Sequence, residues 1–169
     1  MTITEFLEAR IAEDEAVARA AVDSERPGQH WQWVTGQTDT PVAPGDLAEA
    51  QGHQPTISLR TVEEFPSSAG MLPAFPIGYA QEVDPGAGDH ITRHDPARVL
   101  AECAAKRAII GDHELVAKIY LKDYCSTCAD WENSELGEGP PGVEYPCPTV
   151  KALAAVYADH EDYDSGWAL

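Results

Sequence analysis

Positive charge is what this chain has least of. Lys and Arg number 11 against 29 Asp and Glu in 169 residues, a formal net charge of −18. That balance excludes a basic face for gripping DNA or RNA, or for lying on an anionic membrane. Long apolar runs are also missing. No stretch approaches the roughly 20 residues of a membrane span, so no membrane partner is expected. The opening MTITEFLEARIAEDE has neither the basic nor the apolar region of a secretory signal. No phosphate-binding loop, dinucleotide-binding glycine pattern, nucleophile elbow or kinase motif occurs, and nothing assembles a nucleophile, a base and an orienting group. These absences leave a cytoplasmic, soluble protein that is more in keeping with a binding role than with an enzyme.

What is present points to a folded domain. Apolar residues make up 43% of the chain and include four Trp and six Tyr, which excludes an acidic disordered tail. The length suits one domain over 1–169, large enough to bury about two-thirds of its unfolded surface without metals or disulfides. The charge is uneven. Residues 1–66 carry a net −8, residues 67–111 only −1, and residues 112–169 a net −9. No block of five like charges occurs, so the acidity is distributed rather than gathered in a tail.

Patterning divides the chain into four parts: 1–24, 29–80, 88–111 and 113–169. Thr2 with Glu5 forms a capping box, followed by Ile3, Phe6, Leu7, Ile11 and Ala18 at helical spacing. This predicts a helix over 3–22 with Arg10, Glu13 and Glu15 facing away. In 29–80, Trp31 and Trp33 alternate with Gln32, and 56–62 alternates more clearly; Ile77 and Tyr79 suggest a third strand. The Gly, Pro and Asp content of 36–55 reads as a long loop, and 65–76 as irregular. Asp95-Pro96 is an N-cap with proline at the first helical position, opening a helix that Gly111 should stop. Leu115, Ala117, Ile119 and Leu121 then alternate with Val116, Lys118, Tyr120 and Lys122, a half-buried strand. A loop is expected over 130–146 and a last helix from Cys147-Pro148. The fold class is therefore α+β: about three main helices on a small, mostly antiparallel sheet, with a zinc-knuckle-like element near the C-terminus.

The cysteines carry the most specific chemistry. Cys103 sits at core spacing on the central helix and reads as a buried thiol. Cys125-Ser126-Thr127-Cys128 is a Cys-x-x-Cys, and Cys147 follows after an 18-residue gap. A Cys-x-x-Cys turn brings two sulfurs close enough to share a tetrahedral ion, and a thiolate at a helix start gains from the N-terminal dipole. A closed zinc site needs one more ligand. His113, 12 residues before Cys125, is the first choice and His160 the second, although a straight helix would carry His160 roughly 20 Å from Cys147. Two other readings of the same residues stand beside this one: a redox dithiol, and free structural thiols.

His90 and His94 lie four apart, which places both imidazoles on one face of a helix, and Asp95 follows. Metal sites use that spacing. The set His90, His94 and Asp95 is the basis for an alternative reading as a metal-dependent hydrolase; the competing reading is of polar histidines at a helix boundary.

Three segments together resemble a known family. They are TEFLEARIAEDEAVARAA, DHITRHDPARVLAECAAKRAII with GDHE, and YPCPTVKALAAVYADHEDYDSGW. Within them, His94-Asp95-Pro96-Ala97-Arg98-Val99-Leu100 and Tyr157-Ala158-Asp159-His160 are the most distinctive motifs. They resemble an uncharacterised domain of unknown function from actinobacteria and their phages. The resemblance implies that Cys125, Cys128 and Cys147 belong to a recurring Cys-x-x-Cys…Pro-Cys pattern with a His near 113, and hence structural zinc. It implies no activity. The expected function is a non-enzymatic, zinc-stabilised acidic interaction or accessory protein of an actinobacterium or its phage, with a protein partner and no direct nucleic-acid binding. The alternatives are an acidic decoy of a nucleic-acid-binding protein and the hydrolase above.

Overall fold

A computed structural model describes residues 1–22, 28–35, 40–53, 56–68, 70–72, 75–119, 122–130 and 142–169. Residues beyond these, including most of the loop expected over 130–146 and the Tyr120 and Leu121 end of the expected strand, lie outside the described residues. The class is α+β. The described residues form five α-helices and three small antiparallel sheets, more helices and a more divided sheet than the three-helix, one-sheet expectation. They divide into two compact units, Met1–Asp14 with Glu102–Leu169, and Glu15–Ala101.

The chain opens with α1, Ile3–Ala20. Its capping box forms as the sequence requires: Thr2 N donates to Glu5 Oε2 at 2.7 Å, and Glu5 N to Thr2 Oγ1 at 3.2 Å. Ile3, Phe6, Leu7 and Ile11 are buried at helical spacing. Arg10 is buried as well, which corrects the expectation that it faces solvent. It stands four residues after Phe6 and three after Leu7, so it shares their face. Its guanidinium lies 5.5 Å from the Phe6 ring centroid, its Nη2 reaches Glu13 at 2.7 Å and its Nη1 reaches Asp162 at 3.5 Å.

The unit of Glu15–Ala101 is built on a sheet of β1, Trp31–Thr35, β2, Ile57–Thr61, and β5, Pro76–Ala80, in the order β1-β2-β5. Trp31 pairs with Thr61 and Thr35 with Ile57, and Ile57 pairs with Ala80 on its other side. Gly28 leads into β1 with φ +127°, and a Cβ there would sit 2.4 Å from Thr61, so only glycine fits. Trp33, Leu47, Ile57 and Leu59 form the core, with Trp31, Val42, Ile77, Ala80 and Val83 packed around it. Two stretches expected to be irregular hold regular structure. Leu47–His53 is a helix, α2, because Leu47 anchors it in the core. Phe65–Ser67, β3, and Gly70–Leu72, β4, form a hairpin. Asp84 caps α3, Pro85–Arg93, through Ala87 N at 2.9 Å. The central helix α4, Pro96–Asp112, begins at Asp95 as expected but continues through Gly111.

In the other unit, β6, Leu115–Ile119, β7, Lys122–Ala129, and β8, Gly142–Glu144, form a sheet in that order. Leu115, expected on the buried side, is half exposed on the edge strand β6. Helix α5, Pro148–Ala155, follows, then a 3₁₀ turn, Ser165–Trp167. The sequence suggests only a short acidic end here; instead the turn buries Trp167. The Phe6 ring centroid lies 5.1 Å from Trp167, 6.0 Å from Tyr163 and 6.3 Å from Tyr157. Nearby, Tyr157 OH donates to Asp14 Oδ2 at 2.7 Å and accepts from Lys106 Nζ at 2.8 Å.

Candidate metal centre

Three elements of one unit supply the site. Helix α4 ends at Asp112 and leaves His113 at its exit. The carbonyl of Asp112 is one of the orphan acceptors of a helix end. Ser126 Oγ donates to it at 2.8 Å, and Thr127 Oγ1 donates to it as well. Ser126 N also donates to Glu114 O at 2.9 Å. The two residues between Cys125 and Cys128 thus fasten β7 to the end of α4, beside His113.

The Cys-x-x-Cys is not a free turn. It lies within β7, where strict alternation would send residues three apart to opposite faces. The pairing avoids this. From Tyr124 opposite Glu144 to Ala129 opposite Gly142, β7 advances five residues while β8 advances two. The excursion releases Cys125 and Cys128 from alternation, so both sulfurs approach His113. Cys147 arrives from the third element as the N-cap of α5, with Pro148 at the first helical position.

His113 Nδ1 lies 3.4 Å from Cys125 Sγ, 3.4 Å from Cys128 Sγ and 3.6 Å from Cys147 Sγ. All four donor atoms fall within 4.8 Å of one another. Hydrogen bonding does not account for this set. An imidazole nitrogen has one lone pair or one N–H, in the ring plane, and serves one sulfur well rather than three. A tetrahedral ion does account for it. With Zn–S about 2.3 Å and Zn–N about 2.0–2.1 Å, the S···N edge of a tetrahedron is about 3.6 Å. These four residues could therefore hold a metal ion.

The electrostatics are uneven. Burial pushes the Cys128 thiol up to about 12, with the neighbouring Cys125 and Cys147 sulfurs adding to the effect. Burial acts in the same direction on Cys147, but the Val150 and Thr149 backbone N–H groups of α5 outweigh it, together with hydrogen bonds from the other two thiols. Cys147 is held below the ordinary thiol value. All four cysteines are free thiols, and Cys103 lies buried elsewhere, its sulfur 3.8 Å from the Ile11 carbonyl.

The other candidates do not join this group. His160, the second choice for the fourth position, contacts Arg10 Nη1 at 2.7 Å and packs on Phe6 at 5.9 Å between ring centroids. His90 and His94 lie with ring centroids 4.3 Å apart. Asp95, their expected third ligand, is committed to the backbone: Oδ1 accepts from Arg98 N at 2.9 Å, and Oδ2 from Trp31 N at 3.4 Å. Among the described residues, no other group of three or more His, Cys, Asp or Glu brings its donor atoms this close. Sequence reasoning missed the Ser126 and Thr127 contacts that seat the centre. The signal available was their hydroxyls, suited to the helix end predicted near Gly111.

Among the described residues, no helix is long and apolar enough to cross a membrane. A family model described as "Family of unknown function (DUF6221)" matches residues 1–169. No curated protein matches the chain, and no solved structure does.

Proposed function

The chain belongs to this family of unknown function, and we propose that it is a non-enzymatic protein whose fold is stabilised by one structural Zn²⁺ held by His113, Cys125, Cys128 and Cys147. The observation that carries the reading is the three sulfurs spaced 3.4–3.6 Å around one imidazole nitrogen. The donor set favours zinc, since thiolate and imidazole in a tetrahedral arrangement suit that ion. Four protein ligands leave no position for a reactive water, which makes the role structural. The ion would join the end of α4, strand β7 and the start of α5.

On this reading the working part of the molecule is its acidic surface, offered to a protein partner in the bacterial cytoplasm, the protein being that of an actinobacterium or its phage. The net charge of −18 supports a partner other than nucleic acid.

Elemental analysis of the purified chain tests the proposal directly. One equivalent of zinc is expected, lost when Cys125 or Cys147 is replaced by Ser. Exchange for Co²⁺ should produce the intense ligand-field and thiolate charge-transfer bands of a tetrahedral sulfur-rich site. Metal-free protein of unchanged stability would refute the reading.

A further inference from the structure

A cavity of about 460 Å³ opens in the unit of Glu15–Ala101, between β1, residues 41–44 and α3. It shares no residue with the Cys and His centre. Its volume is in the range of small-molecule sites. Trp31, Val42, Pro44 and Leu47 give it apolar walls, and Asp89 and Arg93 line it from α3.

Those two charges are informative. An Asp four residues before an Arg on a helix is placed to form an ion pair. Here they do not pair. Asp89 Oδ1 instead accepts from Gly45 N at 3.3 Å, and Arg93 has no hydrogen-bond or ion-pair partner among the described residues. A guanidinium with no carboxylate partner among the described residues, beside an apolar cavity, is suited to an external one. Cation, anion and aromatic wall therefore converge on one space.

We propose that this cavity binds a hydrophobic α-amino acid as its zwitterion. The ligand carboxylate pairs with Arg93, its ammonium with Asp89, and its side chain lies against Trp31 and the apolar walls. A fatty acid would leave Asp89 facing an anion, and an amine would leave Arg93 facing a cation. A zwitterion satisfies both charges at the spacing one helical turn provides.

The test is titration of L-phenylalanine into the zinc-loaded full chain, followed through the indole N–H resonances of Trp31 and Trp33 and by calorimetry. Saturable shifts of both resonances are expected, with Kd below about 1 mM. Arg93→Gln and Asp89→Asn should each weaken binding at least about tenfold. The amide oxygen introduced by Asp89→Asn still accepts from Gly45 N, and Arg93 is exposed. Both variants should therefore fold, and their indole spectra without ligand check this. 3-Phenylpropionate and phenethylamine, each lacking one charge, should bind at least about tenfold more weakly than L-phenylalanine. No saturable shift up to the solubility limit of L-phenylalanine would overturn the proposal. So would 3-phenylpropionate binding as tightly as the amino acid, or an unchanged affinity in Arg93→Gln.

Discussion

Removing the proposed zinc should destabilise the unit that holds its four ligands and spare the other. The Cys and His ligands all belong to the unit of Met1–Asp14 and Glu102–Leu169. At roughly 80 residues and about 0.05–0.15 kcal/mol per residue, a unit of that size has about 4–12 kcal/mol of stability in total. Structural zinc binds with about 10–16 kcal/mol at neutral pH. Referred to about 1 μM free zinc through mass action, this leaves about 2–8 kcal/mol of stabilisation. The two ranges overlap, so zinc bound as proposed would supply a large share of the unit's stability. For this size, each kcal/mol shifts Tm by about 6 °C, so a loss of at least about 10 °C is expected on chelation. Hydrogen exchange gives the spatial readout. With a zinc chelator, amides of β6, β7 and α5 should lose protection, while those of β1, β2 and β5 keep theirs. Readdition of zinc should restore both protection and Tm. His113→Ala should reproduce the chelator's effect in untreated protein. If the metal-free chain keeps its Tm and its protection pattern, the four residues are a hydrogen-bonded thiol cluster and the reasoning fails.

Other measurements probe contacts away from the centre. Trp167→Ala empties the aromatic group around Phe6 and should cost about 3–5 kcal/mol in urea unfolding. Gly88→Ala would put a Cβ 2.2 Å from Leu47 Cδ2, inside a filled core, and should destabilise by about 1–3 kcal/mol. His30 and Glu63 form an exposed pair at 2.7 Å. The hydrogen bond that the His30 ring donates to the Glu63 carboxylate raises the His30 pKa above its ordinary 6.5. Burial would raise the Glu63 pKa, but hydrogen bonds from His30 and the backbone N–H groups of His30 and Gln29 bring it below 4.5. The His30 contribution is complete below pH 6.5 and is lost as pH rises through its folded value. The Glu63 contribution is present above pH 4.5 and is lost as pH falls through its folded value. The pair therefore acts between the two, and an NMR titration should show Glu63→Gln returning the His30 midpoint downward.

Local signals were legible where one rule governed the outcome. The Thr2–Glu5 capping box and the Asp95-Pro96 helix start are satisfied by neighbours a few residues away, so the sequence carries all the information they need. The misreadings occur where a distant partner decides. Residues 47–53 contain Gly and Gln and look like loop, yet the burial of Leu47 against Trp33 and Ile57 makes them a helix. Arg10 reads as solvent-facing until Asp162 and His160, some 150 residues on, meet its guanidinium. Trp167 sits among acidic residues that suggest a solvated end, and its burial depends on a ring at position 6.

The cluster of His113, Cys125, Cys128 and Cys147 shows both cases at once. Cysteine spacing indicates which thiols can meet, because two residues between them suit a shared ion whatever the backbone does. It does not indicate how they meet. A knuckle in a turn would need no help from neighbouring strands, whereas this Cys-x-x-Cys lies in β7 and depends on an irregular register with β8. It depends also on two hydroxyls that meet the last carbonyl of α4. That difference has a consequence. If β7 is held by those hydroxyls, replacing Ser126 and Thr127 together by Ala removes the fastening while leaving all four ligands in place. Zinc should still bind at one equivalent, with affinity about 10–100-fold lower, as for loss of outer-shell support. An unchanged affinity in a competition assay would mean that the register of β7 alone positions the sulfurs.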